Sequence, residues 1–319
     1  MNLLDKITLL PLYKHVGDSV EFVWSGSGWQ FEFCGDLIQF EITCMNQQNG
    51  PSILGIYVDD QLYQKIDLFD GTHTYTISFP DDSYKHVKCI KLTEMQYGSF
   101  TLHAIHTQQE IVPTPLPSSS ILWIGDSLSA GFGLTSPIKE GLFDTHFEDC
   151  TLSYPYIVSQ ALQVLPLLVA YSGNGVLSRW IPPEIDMKKD VDLLPSIFPY
   201  DMQAEPKWVI INLGTNDSSF TKLIQQREYD YIQAYTSFIQ QLKTKFPSAK
   251  FLLVYGMMDK TLLSSVQTVA KNTSCMFLEL EQATDEASFC YAGHPDKDFQ
   301  AKVADSLIQF IRLYDEAKL

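Results

Sequence analysis

The sequence predicts two domains: an N-terminal antiparallel β-sandwich of jelly-roll type, then an α/β domain on a doubly wound parallel sheet. Three observations carry this. Apolar residues alternate with period two through the first third of the chain. A proline-rich stretch, Ile111-Val112-Pro113-Thr114-Pro115-Leu116-Pro117, interrupts it. Beyond that stretch, continuous apolar runs alternate with three-or-four-spaced ones, the pattern of strands followed by helices. A chain of 319 residues has room for both domains.

In the first domain, Phe31 and Phe33 alternate with Glu32 and Cys34. Ile38, Phe40 and Ile42 alternate with Gln39 and Glu41, and Val87, Cys89 and Lys91 with Lys88 and Ile90. Turn residues separate the runs at Ser25-Gly26-Ser27-Gly28, Asn49-Gly50-Pro51, Asp70-Gly71 and Pro80-Asp81-Asp82. About eight or nine short strands of this kind indicate a sandwich. Alternating prolines favour extended chain. The expected boundaries are therefore a sandwich at 1–112, a linker at 113–119 and an α/β domain at 120–319.

In the second domain, Ile121–Ile124, Leu167–Ala170, Trp208–Ile211 and Phe251–Val254 are apolar on both faces, as strands buried in a parallel sheet are; Met276–Leu278 is a weaker fifth. Ile232, Tyr235, Ile239, Leu242 and Phe246 keep helical spacing up to Pro247. Phe299, Val303, Leu307, Ile311 and Tyr314 do so in a final helix that can start near Asp296. Such sheets bind ligands beyond the carboxyl ends of their strands, which directs attention to the loops there.

Composition narrows the partners. The 22 Lys and Arg against 38 Asp and Glu leave a formal net charge of −16, which disfavours nucleic acid and anionic membrane surfaces. No apolar run reaches the roughly 18 residues of a membrane helix. The Met1–Lys6 start shows no export signal, so a cytoplasmic protein is expected, with secretion as the alternative. Six scattered cysteines (34, 44, 89, 150, 275 and 290) have no metal-ligand spacing and are expected to be reduced, mostly buried thiols.

Four loops carry chemistry. Gly125-Asp126-Ser127 ends the first strand and offers a hydroxyl, although these three residues are also ordinary turn formers. Ser172-Gly173-Asn174-Gly175 follows the second strand, where a glycine N–H can serve as an oxyanion donor or merely make a turn. Gly214-Thr215-Asn216-Asp217 follows the third, and the Asn216 amide has two donors for an oxyanion or for its own turn. His294 lies beyond the fifth strand. Serine, donors and histidine on one sheet edge are the parts of nucleophilic acyl transfer.

These blocks resemble the SGNH (GDSL) hydrolase superfamily over the whole chain after the linker. With the preceding sandwich, Trp24-Ser25-Gly26-Ser27-Gly28, Lys91-Leu92-Thr93-Glu94 and Ser153-Tyr154, the chain is similar to carbohydrate esterase family 2, whose members remove acetyl groups from plant polysaccharides. The resemblance implies Ser127 as nucleophile and His294 as general base and acid. It implies an oxyanion hole of the Ser127 N–H, the Gly173 N–H and the Asn216 amide, with Gly175 as fallback for Gly173. No cofactor or metal is needed. The superfamily usually has an aspartate three residues before the histidine. Here that residue is Tyr291, which points to a Ser–His dyad with a backbone carbonyl in the acid's place; Asp285, Asp296 and Asp298 suit capping or solvated positions. The substrate implied is acetylated carbohydrate, which Arg179 and Trp180 are placed to meet, although packing and a surface charge also explain that pair. Trp24 and Trp29 fit a core or interdomain role better than sugar stacking. A lipase or thioesterase on the same scaffold, or a non-catalytic carbohydrate-binding protein, are the alternatives.

Overall fold

The computed structural model describes residues 3–45 and 50–316. It divides into two compact units, residues 1–117 with 142–150, and residues 118–141 with 151–319. The expected linker at 113–119 straddles the first division. The expected turn at Asn49-Gly50-Pro51 falls partly outside the described residues, because Asn49 is not among them.

The first unit has strands β1 (Thr8–Leu10), β2 (Tyr13–Val16), β3 (Ser19–Phe22), β4 (Gly28–Cys34), β5 (Leu37–Met45), β6 (Ser52–Val58), β7 (Gln61–Leu68), β8 (Gly71–Ser78), β9 (Tyr84–Lys91), β10 (Ser99–His106) and β11 (Ile111–Val112). They form two antiparallel sheets, ordered β1-β4-β9-β6-β7, with β11 on β4, and β2-β3-β10-β5-β8. The strands outnumber the expectation because β1, β2 and β11 are two- to four-residue edge pieces too short to show a period.

Alternation works as expected: Ile38, Phe40, Ile42 and Cys44 of β5 face Phe31, Phe33, Val87 and Cys89 of the other sheet across one core. Trp29 is fully buried there, edge-on to Phe40 at 5.2 Å between ring centroids, and Trp24 is also buried. The proline-rich stretch is not free: Ile111 and Val112 pair with Phe33 and Glu32, and the buried Gln30 amide reaches the Pro115 carbonyl at 3.3 Å.

An excursion at 142–150, which leaves the α/β chain and returns to it, completes this unit. Glu148 accepts the Glu94 N–H at 2.7 Å, Asp149 pairs with Lys65 at 2.8 Å, and Cys150 N–H donates to the Leu92 carbonyl. Beside it Lys91 is wholly buried and donates to the Thr93 and Glu94 carbonyls; burial pushes its ammonium down to about 8. Nothing in residues 142–150 signals this, because the partners lie far away in sequence.

The second unit has a five-stranded parallel sheet: β12 (Ser120–Gly125), β13 (Leu165–Ala170), β14 (Trp208–Asn212), β15 (Lys250–Tyr255) and β16 (Met276–Glu279), ordered β13-β12-β14-β15-β16. The chain moves to one side of β12 to make β13 and to the other to make β14. The topological switch, where open α/β sheets hold ligands, is therefore at the end of β12.

The helices are α1 (Ser127–Ala130), α2 (Tyr154–Ala161), α3 (Leu194–Ile197), α4 (Thr215–Thr221), α5 (Gln225–Lys245), α6 (Leu263–Thr273) and α7 (Lys297–Glu316). α2 packs on α7, and α5 on α6. The α5 stripe gains Tyr231 and Phe238, and the helix stops two residues before Pro247. The α7 stripe keeps Phe299, Val303, Leu307 and Ile311, gains Ala304, Ile308 and a glutamine, Gln300, and leaves Tyr314 half-buried. No helix of the described residues is long and apolar enough to cross a membrane. None of the six cysteines forms a disulfide: three are buried, Cys275 and Cys290 half-buried, and Cys34 exposed.

Candidate active site

The end of β12 turns sharply into α1. A Cβ on Gly125 would lie 2.0 Å from Ser129 Oγ, so only glycine fits the turn. Asp126 caps the short helix, its Oδ1 accepting the Leu128 N–H at 3.1 Å. Ser127 is thereby the first helical residue at the switch point, 8% exposed.

His294 arrives from the far side of the sheet on the loop before α7. Ala292 and Gly293 both take left-handed backbone (φ 51° and 70°), which is costly for alanine. That double turn brings the Tyr291 carbonyl back onto the imidazole. His294 Nδ1 lies 3.1 Å from Tyr291 O, and Nε2 lies 2.8 Å from Ser127 Oγ. A carbonyl only accepts, so the ring proton sits on Nδ1 and Nε2 is left to accept the serine hydroxyl. Bonds around this carbonyl fix the turn: Tyr291 O–H donates to Gly141 O at 2.6 Å, Ala292 N–H to Lys139 O at 2.8 Å, and the His294 backbone N–H to the Tyr291 carbonyl itself at 3.1 Å. Burial, only partly offset by the backbone carbonyls, lowers the His294 pKa from 6.5 to about 4. Among the described residues no carboxylate is bonded to this ring. Asp285 and Asp296 instead cap Ala287 and Phe299.

The second and third loops meet the first. Among the described residues, the Ser127 and Gly173 backbone N–H groups have no acceptor, and Gly173 (φ 72°) faces open space. Gly175 differs. Its N–H is donated to Asn174 Oδ1, and a Cβ there would lie 2.4 Å from both Asp217 Oδ2 and the Ser178 carbonyl. Asn216 Nδ2 directs one hydrogen at the Asn174 carbonyl (2.8 Å) and the other at Asp126 Oδ2 (3.1 Å), so in this structure both donors are engaged.

The Trp180 backbone N–H donates to Gly173 O at 2.8 Å, and the residue is 54% exposed. Arg179 is half-buried, its guanidinium stacked over Tyr171 at 4.9 Å. The two neighbours thus differ: the tryptophan face is open, whereas the arginine already has a ring partner.

Sequence reasoning passed over two positioning groups. The Asp217 carboxylate accepts the Val176, Leu177 and Ser178 N–H groups and so shapes the second loop. Burial raises its pKa to about 6 despite those bonds. Asn174 Oδ1 accepts the Gly175 and Leu194 N–H groups. The only signal for Asp217 was an acid immediately after Asn216.

A hydroxyl on a strand-to-helix turn, an imidazole of fixed tautomer bonded to it, and backbone donors at the switch point of a parallel sheet are the parts of a serine-type ester hydrolase. The chain belongs to the GDSL-like lipase/acylhydrolase family, whose model matches residues 121–306, and is a carboxylic ester hydrolase. Residues 14–115 match the N-terminal model of carbohydrate esterase 2. An acetylxylan esterase/glucomannan deacetylase of Cellvibrio japonicus is 26% identical over 93% of this chain and 86% of that protein. Two solved structures share the fold across nearly the full length. An acetyl xylan esterase from Butyrivibrio proteoclasticus has a TM-score of 0.85 at 17% identity, covering 98% of this chain and 96% of its own. A family two carbohydrate esterase from Clostridium thermocellum, in complex with cellohexaose, has 0.84 at 22%, covering 97% and 98%.

Proposed function

We propose that this chain removes O-acetyl groups from carbohydrate through an acyl-enzyme formed on Ser127. The observation that carries the reading is the 2.8 Å contact of Ser127 Oγ with His294 Nε2, close to two backbone N–H groups without acceptors. His294 takes the hydroxyl proton as Oγ attacks the acetyl carbonyl. The negative charge that develops on the carbonyl oxygen meets the Ser127 and Gly173 N–H groups and an Asn216 hydrogen. One of the two Asn216 bonds, to Asp126 or to the Asn174 carbonyl, yields as that hydrogen turns to the oxyanion. His294 then returns the proton to the leaving sugar hydroxyl. In the second half-reaction the imidazole removes a proton from water as its oxygen attacks the acyl carbon, then returns that proton to Ser127 Oγ as the acyl bond breaks and acetic acid leaves.

The Tyr291 carbonyl fixes the tautomer that this sequence needs, in the place where a triad has an acid. Gly173 is favoured over Gly175 as donor, because the Gly175 N–H is already spent within its own loop. Acetylated carbohydrate as substrate is supported by the named activity of the Cellvibrio relative and by the exposed Trp180, whose backbone is bonded to Gly173. Acetate release from a panel of acetylated glycans, wild type beside Ser127→Ala, tests the reading. Wild type releases acetate and the folded variant does not. Turnover of an aryl acetate by Ser127→Ala at the wild-type rate would refute it.

A further inference from the structure

Beneath Ser127 lies a closed set of buried polar groups that the chemistry above does not use. Gln300, 1% exposed on α7, is its centre. Its Oε1 accepts the N–H of Tyr154 at 3.0 Å, and its Nε2 donates to the carbonyl of Leu128 at 3.3 Å. Both backbone partners are orphans of helix ends. Tyr154 is the first residue of α2, and α1 is too short for the Leu128 carbonyl to find a partner within the helix. The set closes through side chains: Tyr154 Oη and Ser129 Oγ are 2.8 Å apart, and Asn212 Nδ2 donates to Tyr154 Oη at 3.2 Å.

Three of the four elements met here, all but α2, adjoin the site. α1 begins with Ser127 and β14 leads to Asn216, while α7 follows His294 by way of the Asp296 cap on Phe299. We infer that Gln300 is a positioning residue for catalysis, locking the nucleophile turn and the histidine-bearing segment into one frame so that Ser127 Oγ and His294 Nε2 meet. An amide is suited to this, because it accepts at one end and donates at the other, and the two partners leave only one orientation. Displacement of reacting groups by about 1 Å is enough to cost about 10²-fold in rate.

The inference rests on the esterase reading, and its test uses the full chain. Acetate release is measured for wild type, Gln300→Leu and Gln300→Glu at pH 5 and pH 9, with circular dichroism fixing the folded fraction. Leucine removes both bonds, so kcat of the folded variant falls about 10²-fold at both pH values while KM stays within about twofold. A neutral carboxylic acid accepts and donates as the amide does; a carboxylate cannot donate to Leu128 O. The kcat of Gln300→Glu relative to wild type is therefore nearer unity at pH 5 and falls at pH 9.

A role in stability alone would lower the melting temperature and leave both readouts unchanged. Gln300→Leu with wild-type kcat overturns the inference. So does a Gln300→Glu ratio equal at both pH values, which decides the matter even where Gln300→Leu fails to fold. A wild type that releases no acetate would instead end the esterase reading itself.

Discussion

The acid limb of the pH–rate profile is the sharpest consequence of a histidine supported by a carbonyl. Burial lowers the His294 pKa from 6.5 to about 4, and the Tyr291 carbonyl offers a dipole where a carboxylate would offer a full charge. At about 1.36 kcal/mol per pH unit, the site favours the neutral ring by about 3 kcal/mol. In the proposed mechanism the neutral ring is the base that takes the serine proton. Activity should therefore persist well below pH 6.5 and be lost as pH falls through about 4. The assay is kcat/KM for acetate release across the acid range, with return to neutral pH confirming that the enzyme is intact. An acid limb at 6.5 or above would show that a carboxylate or bulk water reaches the ring, and the carbonyl-only account would fall.

Other perturbations test the remaining parts. Asn216→Ala should cost about 2.7–4 kcal/mol of transition-state stabilisation, read as kcat on an aryl acetate at unchanged secondary structure. Gly175→Ala should collapse the second loop, because its methyl would meet the Asp217 carboxylate and the Ser178 carbonyl. Gly173→Ala meets no atom and bears only the strain of a left-handed backbone, about 1–2 kcal/mol. Comparing their activities and melting temperatures separates the two glycines.

Asp217→Asn cannot accept all three N–H groups and should lose about 1–3 kcal/mol in a denaturant titration. In wild type the Asp217 pKa is raised from 3.8 to about 6, so its folded state gains stability as pH falls through that window. The His294 pKa is lowered, so the stability held by its neutral ring is present above 6.5 and lost as pH falls toward about 4. The two oppose each other, and Asp217→Asn should make acid destabilisation steeper.

The layout of the sheet was legible because β12 to β15 are apolar on both faces, a pattern that parallel strands covered by helices produce and few other elements do. The loops were legible for a related reason. Strand ends place Ser127, Gly173 and Asn216 at one edge whatever the details of packing. What stayed hidden is long-range polar bonding. Gln300 lies on the buried face of α7, four residues before Ala304, but spacing says nothing of what its amide binds, and only the fold shows Leu128 and Tyr154 waiting for it. Likewise Tyr291 reads as the loss of an acid until the left-handed pair Ala292–Gly293 turns its carbonyl onto the ring.

The excursion at 142–150 bears on how such a protein can be rebuilt or inherited. Neither unit is a single continuous stretch of chain. A gene cut at the proline-rich stretch would strand nine residues with the hydrolase half and leave Lys65, Leu92 and Glu94 without the groups they bind. Buried polar groups stripped of their partners are expensive, so both halves of such a cut would start out weakened. Swapping the sandwich as a cassette would have to carry residues 142–150 with it.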